Sequence, residues 1–375
     1  MRILNINSYY YSSSVHQDLQ NAMSEQKIDS VTYVPVANGY VPRDECQIRS
    51  EDFVIISECY NKNDRYIFHL KHKKILNDIK KKVRIKDYDC IHAHSLFSNG
   101  YIAMKIKEAY GIPYIVAVRD TDINTFFKYL IYLRRLGIKI LSEADKIVFL
   151  SEPYRDYLID NYIPQNLRDK IFTKSIVIPN GINRFWHENV GINKCINNKQ
   201  KLKLLYVGAI SKRKNINTTI KAIQVLRGRG YDIEYTVVGK IVDKHLFDGF
   251  KDLEFINYVE PVSKEELIEI YRDNDIFVMP SITETFGLVY AEAMSQGLPI
   301  IYTKGQGFDG HFESGVVGYS VSCFDNEDIA DNIIRIINNY EEISNNCISL
   351  FSKFNWDRIA LEYTKLYFRL TKTVD

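Results

Sequence analysis

The stretch "PSITETFGLVYAEAMSQGLP", Pro280 to Pro299, sets Glu284 and Glu292 on either side of an apolar, glycine-containing turn. Its pattern predicts a strand in "DIFVMPS", a loop through "ITET" and a helix beginning near Phe286 or Gly287. That helix ends at Gln296, with Gly297 as its cap and Pro299 blocking continuation. The first amides of such a helix lack intrahelical acceptors, and the aligned peptide dipoles add partial positive charge there. A phosphate is the natural guest. Glu292 falls about five residues into the helix, roughly 7–8 Å along its axis, and Glu284 lies across the turn. Acids flanking an anion site suit a diphosphate that joins two polyhydroxylated rings. Each carboxylate then accepts hydrogen bonds from hydroxyls while the amides hold the phosphates. The alternative, that both are helix-end acids favoured by the dipole, fits Glu292 poorly, because it sits inside an otherwise apolar helix.

Two further segments bring chemistry-bearing residues toward strand ends. "KGQGFDGHFESGVVGY", Lys304 to Tyr319, is dense in glycine, which implies tight turns or close approach of the backbone to a ligand. It lies one strand beyond the acidic helix, so Gly305, Gly307 and Asp309 are candidates for the same site. In "IHAHS", His94 is expected to face a ligand and His92 to point away by strand alternation.

The elements that must position these residues are short β-branched runs alternating with amphipathic stretches. "RILNINS", "VTYVPVA", "DCIHAHS", "IPYIVAVR", "DKIVFLS" and "SIVIPNG" read as strands of a first half. "KLKLLYVG", "IEYTVVG", "LEFINYV", "DIFVMPS" and "LPIIYTK" read as strands of a second. Near-continuous apolar strands separated by helices predict parallel sheets covered on both faces. The helix in "SKEELIEIYRDN" opens with Ser263, and Glu266 completes a capping box. The Asn- and Lys-rich stretch "HENVGINKCINNKQK" is the best linker candidate. The expected organisation is a first α/β domain over 1–186, a linker over 187–200, a second α/β domain over 201–354 and a C-terminal helix over 355–375. In such sheets ligands sit beyond the carboxyl ends of the strands.

Composition bounds the function. The chain has 375 residues, 46% hydrophobic and 26% charged, with a net charge of +2, as an ordinary soluble two-domain protein would. "MRILNINSYYY" lacks the layout of a signal peptide, no apolar run approaches a membrane span, and the cysteines form no Cys-x-x-Cys pair. Free thiols in a reducing, cytoplasmic compartment are expected. Charge is uneven: residues 1–186 hold 27 Lys and Arg against 21 Asp and Glu, a net of +6, which leaves −4 for the remainder. Most of the excess lies in "KHKKILNDIKKKVRIK", Lys71 to Lys86. A second basic segment, Phe126 to Ile140, interleaves aromatics and cations at helical spacing. These segments read either as solvated helix faces or as contacts to an anionic membrane surface. Nucleic acid is disfavoured by the near-neutral total and the lack of a reading motif.

"PSITETFGLVYAEAMSQGLPII" closely resembles the Glu-x7-Glu signature of the family four retaining glycosyltransferases, which have the two-domain GT-B fold. "LLYVGAISKRKNINTTIKAI" resembles that family's phosphate-binding loop, "VIPNGIN" the segment closing its first domain, and "FNWDRIALEYTKLY" its final helix. "IHAHS" with "GIPYIVAVRDTD" resembles its acceptor-side strands. The similarity runs in order over nearly the whole chain. It implies two doubly wound Rossmann-like domains facing a central cleft, with the C-terminal helix crossing back to the first. It also implies that Glu284 contacts the donor sugar, Glu292 the ribose, and the amides of Phe286, Gly287 and Leu288 the sugar and distal phosphate. Lys214 falls at the family's diphosphate lysine, where a cation stabilises charge on the leaving group. Ala209 stands where the family has an arginine, and Arg213 or Lys212 is the substitute. Arg119 stands where the family has a histidine, with Asp120 and Asp122 following, as a phosphate or acceptor contact or as a loop-organising Arg–Asp pair.

The implied activity is retaining transfer of a sugar from a nucleoside-diphosphate sugar to a saccharide or lipid-linked saccharide, in building a cell-surface polysaccharide such as capsule or lipopolysaccharide. Attack is expected from the front face, the departing phosphate helping to take the acceptor's proton. No cofactor and no metal are expected, since no Asp-x-Asp stands at a donor-side strand end. The protein would be cytoplasmic or peripheral at the inner membrane face. The competing readings are a nucleotide-sugar epimerase or hydrolase on the same fold and an inactive, membrane-associated assembly factor.

Overall fold

The computed structural model describes residues 1–11, 13–40, 54–196 and 198–371. Ser12 of the first loop and Cys46 lie outside the described residues. Two compact units emerge. The first contains the chain up to Leu150, Tyr154–Gly181 and the residues from Trp356 on; the second contains Ser151–Pro153 and Ile182–Asn355.

Unit 1 is built on a parallel sheet of β1 (Arg2–Ile6), β2 (Asp29–Ala37), β3 (Val54–Tyr60), β4 (Cys90–Ala93), β5 (Tyr114–Ala117), β6 (Lys146–Phe149) and β7 (Ser175–Val177), in the order β3-β2-β1-β4-β5-β6-β7. Alternation sorts its side chains. Ile3, Cys90, Ile115 and Val148 pack under helices Ser14–Glu25 and Trp356–Thr371. Leu4, Ile91, Val116 and Ile147 face helices Phe68–Lys82, Gly100–Tyr110 and Arg134–Glu143. Both faces are buried, so these strands read as continuous apolar runs. The C-terminal helix belongs to this unit because Trp356, Ile359, Tyr363, Tyr367 and Leu370 recur on one buried face.

Unit 2 repeats the plan with β8 (Lys201–Val207), β9 (Asp232–Val238), β10 (Ile256–Val259), β11 (Ile276–Val278), β12 (Ile300–Thr303) and β13 (Gly318–Val321), in the order β10-β9-β8-β11-β12-β13. The strand order reverses between β1 and β4 in one unit and between β8 and β11 in the other. These are the switch points beyond which open sheets bind ligands. Ser263 accepts from the Glu266 amide and Glu266 closes the capping box on helix Lys264–Asp273.

Three local expectations need correcting. Strands β3 and β13 have no counterpart in the sequence reading. β3 is an edge strand in which only Ser57 is fully buried, and β13 is a four-residue run starting on glycine that claims the end of the Lys304–Tyr319 loop. The segment Phe126–Ile140 is not one helix: a π-helical turn, Asp122–Phe127, gives way to a 3-10 turn, Ile131–Leu133, before helix Arg134–Glu143. Arg134 Nε donates to the Phe127 carbonyl at 2.6 Å and stabilises the break. The linker candidate 187–200 packs against unit 2 through its first part, up to Lys194. The Gly191 amide donates to Ser295 O, the Lys194 amide to Ser344 Oγ, and Lys194 Nζ to the Arg272 carbonyl at the end of helix Lys264–Asp273. The Lys194 side chain caps a helix end instead of solvating a tether.

Candidate functional site

The loops leaving the adjacent strands β8 and β11 bring the basic and acidic residues of unit 2 together. "SKRKN" makes one 3-10 turn, Lys212–Lys214, ending on Asn215 in the left-handed region (φ 59°). Asparagine tolerates that conformation, and here its amide also donates to the carbonyls of Pro280 and Cys323. The Ile282 amide donates to Arg213 O (2.9 Å), and Arg213 Nη1 to Thr283 O (2.6 Å). Loop is thus bonded to loop, and the pair fixes Lys214 against Glu284.

Lys214 Nζ donates to Glu284 Oε2 at 2.5 Å, with Ser281 Oγ at 3.4 Å and Arg213 Nη1 at 3.9 Å from the same oxygen. Both partners are buried, Lys214 at 9% and Glu284 at 6% exposure. A buried pair of this kind is held by geometry, because desolvation consumes most of the Coulombic gain. Lys214 keeps donor capacity beyond Glu284, since an ammonium carries three protons.

Helix Leu288–Ser295 starts one or two residues later than its sequence suggests, with Gly287 at its N-terminal boundary (φ 78°). A Cβ on Gly287 would lie 2.4 Å from the Tyr290 ring, so glycine is required on both counts. Phe286 anchors the turn from below, its ring 5.4 Å from Phe354 and 5.4 Å from His311. The side chain is occupied with packing, and the amides of Phe286, Gly287 and Leu288 form the lip of the helix N-terminus.

Glu292 is partly covered. It accepts from Tyr271 Oη at 3.4 Å, and burial pushes its carboxyl up to about 7, against the opposing pull of Lys264, Tyr271 and Trp186. A carboxyl whose proton affinity is raised in this way can offer either a donor or an acceptor to a hydroxyl.

The glycine-rich segment supports this turn. The Gly307 amide donates to Glu284 O (2.9 Å) and Gln306 Oε1 accepts from the Glu284 amide (2.9 Å). A Cβ on Gly307 would fall 1.9 Å from Thr285 O, so its glycine serves close packing under the acidic loop. Asp309 accepts from the Gly305 amide (2.7 Å) and closes its own turn, while Gly305 faces open space. Gln306, Asn215 and Ser281 are contributors that the sequence reading did not name. A left-handed asparagine directly before a helix is the one detectable signal among them.

In unit 1 the acceptor-side candidates take different roles. Both Asp122 oxygens serve backbone amides, those of Leu96 (2.9 Å), Phe97 (3.1 Å) and Arg119 (2.9 Å), so Asp122 organises two loops. Burial pushes it up to about 6. Arg119 Nε donates to His94 O at 3.2 Å. His92 does not point away from His94. Residues two apart share a strand face, and the rings stack at 4.0 Å. His92 Nδ1 meets Tyr367 Oη at 2.7 Å, His94 Nε2 meets Asn5 Oδ1 at 3.2 Å, and His16 stands edge-on to His94 at 5.7 Å. Burial first, then the Arg119 charge, pushes His16 and His92 down to about 3; burial with the neighbouring imidazoles pushes His94 well below its usual value.

Comparison with known proteins decides what this arrangement belongs to. Residues 192–349 match the family described as glycosyl transferases group 1, and residues 15–184 match glycosyltransferase family 4. The chain belongs to the family 4 glycosyltransferases. An uncharacterized glycosyltransferase of Methanocaldococcus jannaschii is 26% identical over 76% of each chain. The alpha-monoglucosyldiacylglycerol synthase of Acholeplasma laidlawii is 26% identical over 70% of this chain and 69% of its own. Anabaena HepE, solved in complex with UDP-glucose, superposes with a TM-score of 0.68 at 13% identity, covering 98% of this chain and 99% of that one. At that identity the likeness shows the shared GT-B fold. As a family 4 glycosyltransferase the chain supplies, in unit 2, a cation, two acids and a helix N-terminus around one strand switch point.

Two outcomes follow. Replacing Lys214 by Met leaves Glu284 buried without its cation and should cost about 3–5 kcal/mol; adding Glu284→Gln should restore a substantial part, read by urea denaturation. Equal losses in the single and double variants would show that the pair is not coupled. For the histidines, folded values lie below the unfolded value, so above about pH 6.5 the cluster is indifferent to pH. Below that the unfolded chain takes protons that the fold refuses. Stability should fall by up to about 4 kcal/mol per pH unit for His16, His92 and His94 together. The window runs down to the folded values of about 3. Denaturation midpoints between pH 7 and 5 test this, and His94→Gln should flatten the slope.

Proposed function

We propose that the chain moves a hexose or similar sugar from a nucleoside-diphosphate sugar to a lipid-linked saccharide, with retention at the anomeric carbon and without a divalent cation, in assembly of a cell-surface polysaccharide or glycolipid. The observation that carries the reading is the buried Lys214–Glu284 pair beside the N-terminus of helix Leu288–Ser295. As the bond from the anomeric carbon to phosphate oxygen breaks, negative charge grows on the nucleoside diphosphate. Lys214, Arg213 and the helix amides meet that charge, the part a metal ion plays elsewhere. Glu284, tied to Lys214 and Ser281, is suited to accepting a sugar hydroxyl, and Glu292 to the ribose hydroxyls. A double displacement would need a free carboxylate nucleophile; front-face attack needs none, the departing phosphate oxygen accepting the acceptor's proton. HepE bound to UDP-glucose supports the donor class, and the diacylglycerol-directed relative supports a lipid-borne acceptor.

The surface of unit 1 supports placement at an anionic bilayer. Lys73, Lys80, Lys81, Lys82, Arg84 and Lys86 are exposed and form no ion pair among the described residues, whereas Lys74 pairs with Asp64 and Lys71 lies over the Tyr60 ring. Large apolar side chains stand out in the neighbouring turns: Tyr66 is 70% exposed, Ile67 57%, Tyr129 67%, Ile131 65% and Tyr132 69%. Phe68 and Phe126, 6.4 Å apart, join the two segments beneath them. Cations beside exposed aromatics fit the headgroup region of a membrane. No helix among the described residues is long and apolar enough to cross one.

Lys214→Ala should lower turnover more than donor affinity, because its charge partner appears in the transition state, and turnover of the parent should survive a chelator. Equal losses in binding and rate, or abolition by the chelator, would contradict the proposed chemistry. Replacing Lys80, Lys81 and Lys82 together should weaken salt-sensitive binding to phosphatidylserine vesicles by about tenfold or more, at roughly 1 kcal/mol per cation, and Ile131→Ser with Tyr132→Ser should weaken the salt-resistant remainder. Unchanged co-sedimentation would remove the membrane role.

A further inference from the structure

We propose that unit 2 holds a second ligand site at the amino ends of its strands, which takes an organic anion with an apolar body and bears on Glu292 through the far end of its helix. A cavity of about 510 Å³ opens there, with Val190, Ile192, Cys195, Arg272, Asp275 and Gln296 in its wall. That volume falls within the roughly 300–1,000 Å³ common for small-molecule sites. Asp275 immediately precedes β11 and Gln296 follows helix Leu288–Ser295, so the cavity lies at the opposite end of the sheet from Lys214 and Glu284. The helix whose first amides border the donor side therefore ends at this cavity, about 12 Å further on for its eight residues.

The wall selects the chemistry. Arg272 Nε donates to Gln296 Oε1 at 3.1 Å, but Nη1 reaches Glu269 only at 3.4 Å and Nη2 the Asn189 carbonyl at 3.5 Å. Those two contacts are long for N–H···O bonds. The guanidinium thus keeps a fork of donors for a better acceptor, the geometry that captures a carboxylate, sulfonate or phosphate. Lys194, also in the wall, is engaged by the carbonyls of Tyr271, Arg272 and Asn274. The carboxylate there, Asp275, has Oδ2 on the Lys203 amide at 2.8 Å, and burial raises its proton affinity. Cations therefore outweigh acids among the described lining residues. Ile192 is 81% exposed and Val190 beside it is exposed too, which gives the ligand's body an apolar surface.

This wall is tied to Glu292. Asn189 O accepts from Gln296 Nε2 at 2.8 Å as well as from Arg272. Tyr271, next to Arg272 in the chain, donates to Glu292 Oε2 at 3.4 Å, and the Trp186 ring lies 5.5 Å from that of Tyr271. A Cβ on Gly191 would fall 2.8 Å from the Gln296 Cα, and one on Gly297 2.7 Å from the Ile192 carbonyl. The segment is pressed onto the helix end without slack. An anion on the two terminal nitrogens fixes Arg272 against Gln296, and with it Tyr271 against Glu292. Ordering Glu292 in advance lowers the entropy cost of binding a ribose there, so each ligand favours the other. That link rests on the glycosyltransferase reading; the cavity and its anion do not.

The test uses the full chain with anilinonaphthalene sulfonate as probe, read by its fluorescence, and phenylnaphthylamine as the same body without charge. The sulfonate should saturate one site in the parent, bind about tenfold more weakly to Arg272→Gln and recover in part in Arg272→Lys. The uncharged probe should not distinguish these variants. Bound sulfonate should shield the exposed Cys195 thiol from iodoacetamide, read by mass spectrometry, and leave Cys323 unshielded; Cys195→Trp should fill the cavity and abolish binding. Equal affinity in Arg272→Gln, an unshielded Cys195, or loss through Ile131→Ser with Tyr132→Ser alone would overturn the proposal. Whichever of UDP, ADP or GDP the parent binds should bind about fivefold tighter with saturating probe, and not in Arg272→Gln. Unchanged affinity, or mutual exclusion of probe and nucleotide, would overturn the link to Glu292. If the probe binds as described but no nucleotide does, the transferase reading fails while the cavity's role as a ligand site stands. Turnover of a donor by a chain that binds no probe has the opposite meaning.

Discussion

The buried contact between Lys214 and Glu284 is the constraint on which unit 2 depends. It joins the loops that leave two neighbouring parallel strands, β8 and β11, at the place where the strand order reverses. Burying both charges is costly, so the pair persists only because the backbone around it is held by other means. Asn215 supplies one such restraint by donating to Pro280 and Cys323, and Arg213 supplies another by donating to Thr283. The same restraints place the start of helix Leu288–Ser295 beside the ammonium. Cation and helix dipole thereby act on one volume.

Packing beneath the turn explains why particular glycines and aromatics occur there. Gly287 has no room for a side chain against Tyr290, and Gly307 has none against Thr285. The rings of Phe286, Phe308, His311 and Phe354 form the layer on which the turn rests. A rigid base of this kind lets backbone amides act as preorganised donors, the condition under which electrostatic stabilisation is effective. Glu292 is positioned differently. It leans on Tyr271 and Trp186 in a place dry enough to raise its proton affinity.

At the corresponding switch point unit 1 carries imidazoles whose proton affinity burial lowers. His92 and His94 stack at the end of β4, the C-terminal helix contributes Tyr367 as a partner, and Arg119 brings a full positive charge beside them. The helix that supplies Tyr367 is the last of the described elements, so a helix late in the chain bears on the geometry of strand β4.

The sequence alone determined the alternation of apolar strands and amphipathic helices, and hence two parallel sheets, because burial on both faces leaves an unmistakable apolar run. It also determined the helix after Glu284, its glycine boundaries, the capping box at Ser263 and the placing of Lys214 in a loop after a strand. Edge strand β3 and the short β13 escaped notice, since an edge position or a glycine start weakens the pattern that marks a strand. The proposed linker became part of unit 2 because Lys194 finds helix-end carbonyls whose location depends on the folded sheet. Only the tertiary structure decided that Glu284 pairs with Lys214, that Gln306 and Asn215 hold their loops, and that Asp122 serves backbone amides. Each of these joins residues distant in the chain through hydrogen bonds, and local periodicity carries no information about which distant donor will meet which acceptor.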